Sequence, residues 1–193
     1  MQRAAEFPVV ALVSSTGGLD ALSRVLTRLL AGFPGAVVAL QHLDPEQHSH
    51  LPKLLAHKTI LPVRWAVDGQ SLAPGTVVVA PPARHMLVGA NGEVALVLSG
   101  KTPPPRPSAD LLLGSLAVSM GPRVIAVILT GQGHDGMAGV AAVKRFGGRV
   151  LAQDQGSAAA FGMPGSAIDT HLVDRVVPVD SIAGLLSVLV TTT

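Results

Sequence analysis

Short runs of Val, Ile, Leu and Ala recur along the chain: Phe7 to Val13, Ala36 to Leu40, Thr76 to Ala80, Val124 to Leu129 and Arg149 to Ala152. They are apolar at successive rather than alternating positions, which predicts strands covered on both faces, as in a parallel sheet. Between them, apolar residues fall at helical spacing over Leu19 to Leu30, His50 to His57, Ala109 to Met120, Met137 to Phe146 and Ser181 to Leu189. Strand, helix and strand in repetition predict an α/β fold, a doubly wound, mainly parallel sheet with helices on both faces. At 193 residues with no internal repeat, the whole of 1–193 is expected to form a single domain.

The stretch from Leu61 to Ser99 breaks the rhythm. Its β-like runs are punctuated by Pro74-Gly75, Pro81-Pro82 and Asn91-Gly92, and the last reads as a two-residue turn between HMLVGA and EVALVL. An antiparallel hairpin at a sheet edge is expected there. Residues Gly100 to Pro107, GKTPPPRP, are too rich in proline for regular structure and are expected to form an exposed loop.

Composition narrows the function classes. Apolar residues make up 48% of the chain, yet every run is broken well before the roughly 18 positions a membrane span needs, so no membrane insertion is expected. The N-terminal apolar run meets Gly17-Gly18 and passes into an amphipathic pattern, unlike a cleaved leader. Cysteine is absent, which excludes a disulfide framework and a thiolate nucleophile and points to a cytoplasmic location. A net charge of +2, scattered Lys and Arg, and 3% aromatics provide neither a phosphate track nor stacking platforms, which argues against nucleic-acid binding.

In an open α/β sheet, ligands sit beyond the carboxyl ends of the strands. Three such ends carry chemistry here: Ser14-Ser15-Thr16-Gly17-Gly18, Gln41-His42, and Thr130-Gly131-Gln132-Gly133-His134-Asp135-Gly136. A serine hydroxyl needs a base to take its proton, and the base needs a carboxylate to fix its tautomer. Ser15, His42 and Asp135 supply one of each. Thr16 and Gly17 are candidates for the oxyanion donors, since the first N–H groups of a helix are free and glycine admits a close approach. Gln132, flanking Asp135, is a further substrate-loop candidate. The structural alternatives are plain: Ser15 and Asp135 each precede a helix and fit N-caps, and His42 fits a satisfied loop residue.

A competing pattern lies in the same loop. Residues Gly131 to Gly136, GQGHDG, satisfy G-x-G-x-x-G between a strand and a helix, and Asp154 follows 18 residues beyond Gly136, as in a dinucleotide site. The motif comes late in the chain and leaves Ser15 and His42 without a role. His48 and His50 form no helical ligand pair, and Pro45 interrupts their approach, so no metal site is expected.

Taken in order, the motifs resemble the catalytic domain of the CheB family, the chemotaxis protein-glutamate methylesterases. The resemblance rests on Ser15-Thr16-Gly17-Gly18, Gln41-His42, Pro74-Gly75, Ala80-Pro81-Pro82, His85-Met86 and Arg106-Pro107-Ser108-Ala109-Asp110. It continues through Leu129-Thr130-Gly131, Asp135-Gly136, Leu151-Ala152-Gln153-Asp154 and Phe161-Gly162-Met163-Pro164. It implies Ser15, His42 and Asp135 as the catalytic triad, no cofactor, and hydrolysis of glutamate γ-methyl esters with release of methanol. It also implies glutamine deamidation in some members. The implied partners are the methylated cytoplasmic helices of chemoreceptors. The low charge density and apolar composition independently point to a separate regulatory protein that docks on the exposed face. His134, Gln132 and Ser14 depart from the residues common in the family and bear on substrate preference. Family members commonly carry a receiver domain ahead of this one, and none is expected within 1–193. A catalytically silent adaptor domain is the remaining alternative.

Overall fold

The computed structural model describes residues 6–44, 46, 48–98 and 106–192. Seven strands form one all-parallel sheet: β1 (Val9–Ser14), β2 (Ala36–Gln41), β3 (Val63–Trp65), β4 (Val77–Val79), β7 (Val124–Ile128), β8 (Arg149–Gln153) and β9 (Arg175–Val177). They lie in the order β3-β4-β2-β1-β7-β8-β9. The chain winds outward from β1 through β2, then returns to β1's other side and winds outward again through β7. The doubly wound expectation therefore holds, and the reversal lies between β1 and β7, where loops leave in opposite directions and open a crevice.

Alternation along the central strands builds two cores. Val9, Ala11 and Val13 of β1 join one cluster, with residues of α3 (Ala109–Met120), α4 (Met137–Arg145) and α5 (Gly162–Asp169). Val10 and Leu12 join the other, with α1 (Gly18–Thr27), α2 (Leu51–Ala56) and α6 (Val179–Leu189). Every residue of β1 is buried. That is why the strand reads as a continuous apolar run.

The hairpin forms, β5 (His85–Val88) against β6 (Val94–Val97), but it is a separate two-stranded sheet rather than an edge of the main one. It packs on α3, where Ser115 Oγ accepts from Val88 N–H at 3.1 Å and Ser119 Oγ donates to the Val88 carbonyl at 2.7 Å. Met86, Val88 and Val94 enter the core beneath. Its turn has three residues rather than two: Gly89 N–H donates to Glu93 O and Gly92 N–H to Gly89 O, with Gly92 at φ 77°. A type I turn closed by a left-handed glycine fits that pattern. Sandwiched between sheet, hairpin and α4, α3 is apolar on most sides.

Three elements escape the sequence pattern. β3 and β9 are three-residue edge strands carrying Arg64 and Arg175. Helix α5, GMPGSAID, holds two glycines and a proline, but Pro164 sits in the first turn, where its missing N–H costs nothing. Most of the expected Gly100 to Pro107 loop lies outside the described residues. At its end Pro107 is buried rather than exposed.

Helices α3 and α4 pack closely at Gly139, where an added Cβ would lie 2.6 Å from Leu113 Cβ. Gly184, exposed on α6, has nothing within 4 Å of the same position. Gly139→Ala should therefore lower stability by about 1–3 kcal/mol through overpacking. Gly184→Ala should raise it by about 0.5–1 kcal/mol through helix propensity. Urea midpoints of the two variants check the opposite signs.

Candidate active site

β1 ends at Ser14, and the chain turns into α1 through Ser15, Thr16 and Gly17. Gly17 has φ 79°, and an added Cβ would lie 2.6 Å from Ala159 Cβ, so both conformation and space favour glycine. Ser15 N–H donates to the Thr130 carbonyl at 2.9 Å, which ties the turn to the end of β7. Gln41 ties it to β2: its Nε2 donates to Ser15 O at 2.6 Å while its Oε1 accepts from Ser14 Oγ at 2.8 Å. A side chain on Gly18 would collide with that amide. Ser14, fully buried, is thus a structural serine, while Ser15 is half-buried at the rim.

His42 follows β2 directly, its N–H donating to Ser14 O at 3.0 Å. The ring reaches in the other direction, with Nε2 2.7 Å from Asp135 Oδ2. Both side chains are largely buried, 16% exposed for His42 and 9% for Asp135. Ser15 and His42 line one cleft of about 870 Å³, together with Thr16, Gly17 and Gln41. Among the described residues Ser15 Oγ makes no hydrogen bond, and the main-chain N–H groups of Thr16 and Gly17 donate to none. In unliganded sites such contacts often close only when substrate binds.

Asp135 does not cap the helix it precedes. Its carboxylate sits on the N-terminus of α3, where Oδ2 accepts from Ala109 N–H at 2.7 Å and Oδ1 from Asp110 N–H at 3.0 Å and Ser108 Oγ at 3.1 Å. Burial pushes the Asp135 carboxyl up, but the His42 hydrogen bond, the two amides and the His42 charge outweigh it and leave it below its ordinary value. Nearby, buried His85 is shifted down, first by burial and then by the Arg106 charge, against the opposing pull of Asp135.

The structure thus brings Ser15, His42, Thr16 and Gly17 to one cleft and joins Asp135 to it through His42. Gln132 is solvent-exposed and outside that lining, although neighbouring Gly131 abuts Ser15, with an added Cβ 2.8 Å from Ser15 Cβ. Sequence reasoning gave Ser108 and Asp110 no role. The available signal was a serine followed by Ala-Asp at a helix start, the usual form of an N-cap.

The dinucleotide reading of GQGHDG fails on geometry. The amides that a phosphate would need at the start of α4 are taken: Asp110 Oδ1 accepts from Gly136 N–H at 3.0 Å and from Gly139 N–H at 2.8 Å. Gly131 N–H donates to Ala160 O. The Asp154 carboxylate is likewise held, by Ser157 N–H at 3.0 Å. Among the described residues no cluster of three His, Cys, Asp or Glu is placed to hold a metal, and no helix is long and apolar enough to cross a membrane.

Residues 10–186 match the CheB methylesterase family. The chain is 40% identical over 187 residues to a protein-glutamate methylesterase/protein-glutamine glutaminase of Moorella thermoacetica, covering 95% of this chain and 44% of that one. It is 37% identical over 180 residues to the protein-glutamate methylesterase FrzG of Myxococcus xanthus, covering 93% of this chain and 54% of that one. The solved CheB methylesterase catalytic domain of Thermotoga maritima superposes with a TM-score of 0.91 at 37% identity, covering 96% of this chain and all of that one. The chain spans about half the length of the curated relatives it matches.

A carboxyl held below its ordinary value of 3.8 binds protons less readily in the folded chain than in the unfolded one. Its contribution to stability is present above that value and is lost as pH falls through the folded one. The stability difference between wild type and Asp135→Asn should therefore be largest at neutral pH and shrink as pH drops below about 4. Urea titrations of both proteins at stepped pH measure it, and a pH-independent difference would contradict the charge-based account.

Proposed function

The chain belongs to the CheB methylesterase family, and from that premise we propose that it hydrolyses γ-methyl esters of glutamate side chains in a protein substrate, with Ser15 as nucleophile. The observation that carries this reading is the His42–Asp135 pair, closed at 2.7 Å, beside the half-buried hydroxyl of Ser15.

The pairing supports one assignment of the His42 nitrogens. With Asp135 ionised, Nε2–H donates to its carboxylate, the lone pair lies on Nδ1, and Nδ1 is the base for Ser15. Ser15 Oγ attacks the ester carbonyl carbon as its proton passes to Nδ1. The carbonyl oxygen becomes an oxyanion, for which the open N–H groups of Thr16 and Gly17 are the donors at hand. The tetrahedral intermediate collapses, the imidazolium returns its proton to the leaving methoxide, and methanol departs from an acyl-enzyme on Ser15. Water then attacks the acyl carbon, giving one proton to Nδ1, which passes it to Ser15 Oγ as the acyl bond breaks, and the glutamic acid released loses its remaining proton to solvent. Asp135 stays ionised throughout and stabilises the imidazolium. The same steps with ammonia as leaving group convert glutamine to glutamate, the second activity in the name of the Moorella relative.

The substrate proposed is the methylated cytoplasmic helices of chemoreceptors. The support is family membership and an open cleft on the sheet rim. Ser15→Ala should abolish methanol release from methylated receptor while leaving the fold intact by circular dichroism. Asp135→Asn should lower kcat on the order of 10⁴-fold, because the imidazole then lacks the carboxylate that fixes its tautomer. A loss below about 10-fold would remove Asp135 from the triad.

A further inference from the structure

Two carboxylates at neighbouring helix starts are exchanged in this structure. Asp135, just before the Gly136 N-cap of α4, accepts from the first turn of α3; Asp110, in the first turn of α3, accepts from the start of α4. Asp135 stands one residue outside the Gly136 N-cap of α4. The N–H of the Asp135–Gly136 peptide donates to Asp110 Oδ1 at 3.0 Å, and Gly139 N–H donates to the same oxygen at 2.8 Å. These two bonds pin the peptide beside Asp135 to the start of α3, the same turn on which the Asp135 carboxylate rests. Without an acceptor at Asp110 that peptide loses its anchor, and the carboxylate its fixed distance to His42.

We propose that Asp110 is a positioning residue for the reaction, holding the α4 amides so that the Asp135 carboxylate faces α3 and His42. The inference rests on the esterase reading above. Asp110 lies outside the lining of the cleft, so it acts on turnover through Asp135 rather than on substrate binding. Both of its side-chain bonds fall on one oxygen, Oδ1. An asparagine carbonyl oxygen can therefore replace it, whereas alanine cannot. Charge on Asp110 is dispensable; an acceptor at that point is not.

The experiment measures kcat and KM for ester hydrolysis by the full chain, the rate at which a fluorophosphonate labels Ser15, and the thermal midpoint. It does so for wild type, Asp110→Ala, Asp110→Asn, and Asp110→Ala combined with Asp135→Ala. Asp110→Ala should lose about 10- to 100-fold in kcat, the scale of a misplacement near 1 Å, with KM little changed and labelling slowed in proportion. Asp110→Asn should restore turnover to near wild type. With Asp135 already removed, Asp110→Ala should cost no further activity, the non-additivity expected of residues acting as one unit. Should the alanine variant not fold, Asp110→Ser, whose hydroxyl is too short to reach both amides, carries the same expectation. Wild-type kcat in a folded Asp110→Ala with a lowered thermal midpoint overturns the proposal, as does an asparagine variant that fails as the alanine one does. Those results require an active wild type. A wild type in which Ser15 neither reacts nor hydrolyses ester fails at the proposed function itself, and the positioning role falls with it.

Discussion

Burying a carboxylate costs several kcal/mol unless its oxygens find donors. Asp135, with 9% of its side chain exposed, meets that requirement with two main-chain amides, a serine hydroxyl and an imidazole. Much of the surrounding architecture follows from supplying them. The amides come from the first turn of α3, so that helix must begin where the loop after β7 passes. Ser108, fully buried, both starts the helix and donates to the carboxylate. Gly139 allows α3 and α4 to approach closely enough for each helix to receive the other's aspartate. The interaction is electrostatic as well as geometric, since each carboxylate sits at the positive end of a helix dipole.

A second set of bonds fixes the serine relative to the histidine. Ser15 and His42 belong to neighbouring parallel strands, and the register places Ser14 opposite Gln41. That pairing alone would leave the turn after β1 free to move. The Gln41 amide removes the freedom by accepting from Ser14 and donating to Ser15 O, while Thr130 accepts from the Ser15 amide on the other side. Thr130 Oγ1 also donates to Thr16 O at 2.9 Å. The turn is thus gripped from both adjacent strands, and its residues Ser15, Thr16 and Gly17 line the cleft. Glycines at 17 and 18 are the condition for this, since side chains there would strike Ala159 and Gln41.

How much of this was legible beforehand follows the same physics. Strands buried on both faces announce themselves, because nothing polar is tolerated along them; β1, β2 and β7 were found to within two residues at each end. The ends of α3 stand where the helical spacing places them, at Ala109 and Met120. Short edge strands such as β9 carry arginine and little apolar signal, and α5 has a composition that argues against a helix, so tertiary packing decides both. The hairpin was visible but its docking was not, since the serines of α3 that accept from and donate to Val88 are distant in sequence. For the site, the three strand ends offer Ser15, His42 and Asp135 as candidates; the structure pairs His42 with Asp135 and lines one cleft with Ser15 and His42. Ser108 and Asp110 carry no such signal, because their partners Asp135, Gly136 and Gly139 lie 25 or more residues away.

In the proposed reaction, the sheet order also decides which imidazole nitrogen serves as the base. In the serine-protease arrangement the aspartate holds Nδ1 and the base is Nε2. Here His42 leaves β2, Ser15 leaves β1, and the Asp135 loop leaves β7, with β1 lying between the other two. Strands separated by one intervening strand are about 10 Å apart. The histidine must therefore extend past the serine's strand to meet the aspartate, and the ring atom farthest from its backbone, Nε2, makes that contact at 2.7 Å. In the proposed reaction the nearer nitrogen, Nδ1, is the one left for Ser15 on the adjacent strand end. Exchanging the two nitrogens while keeping this sheet order would require the aspartate to reach inward over the cleft, to a position its three anchors on α3 do not permit. The reversed imidazole of the proposed reaction thus follows from the strand order, with the cross-capped helices holding Asp135 in place.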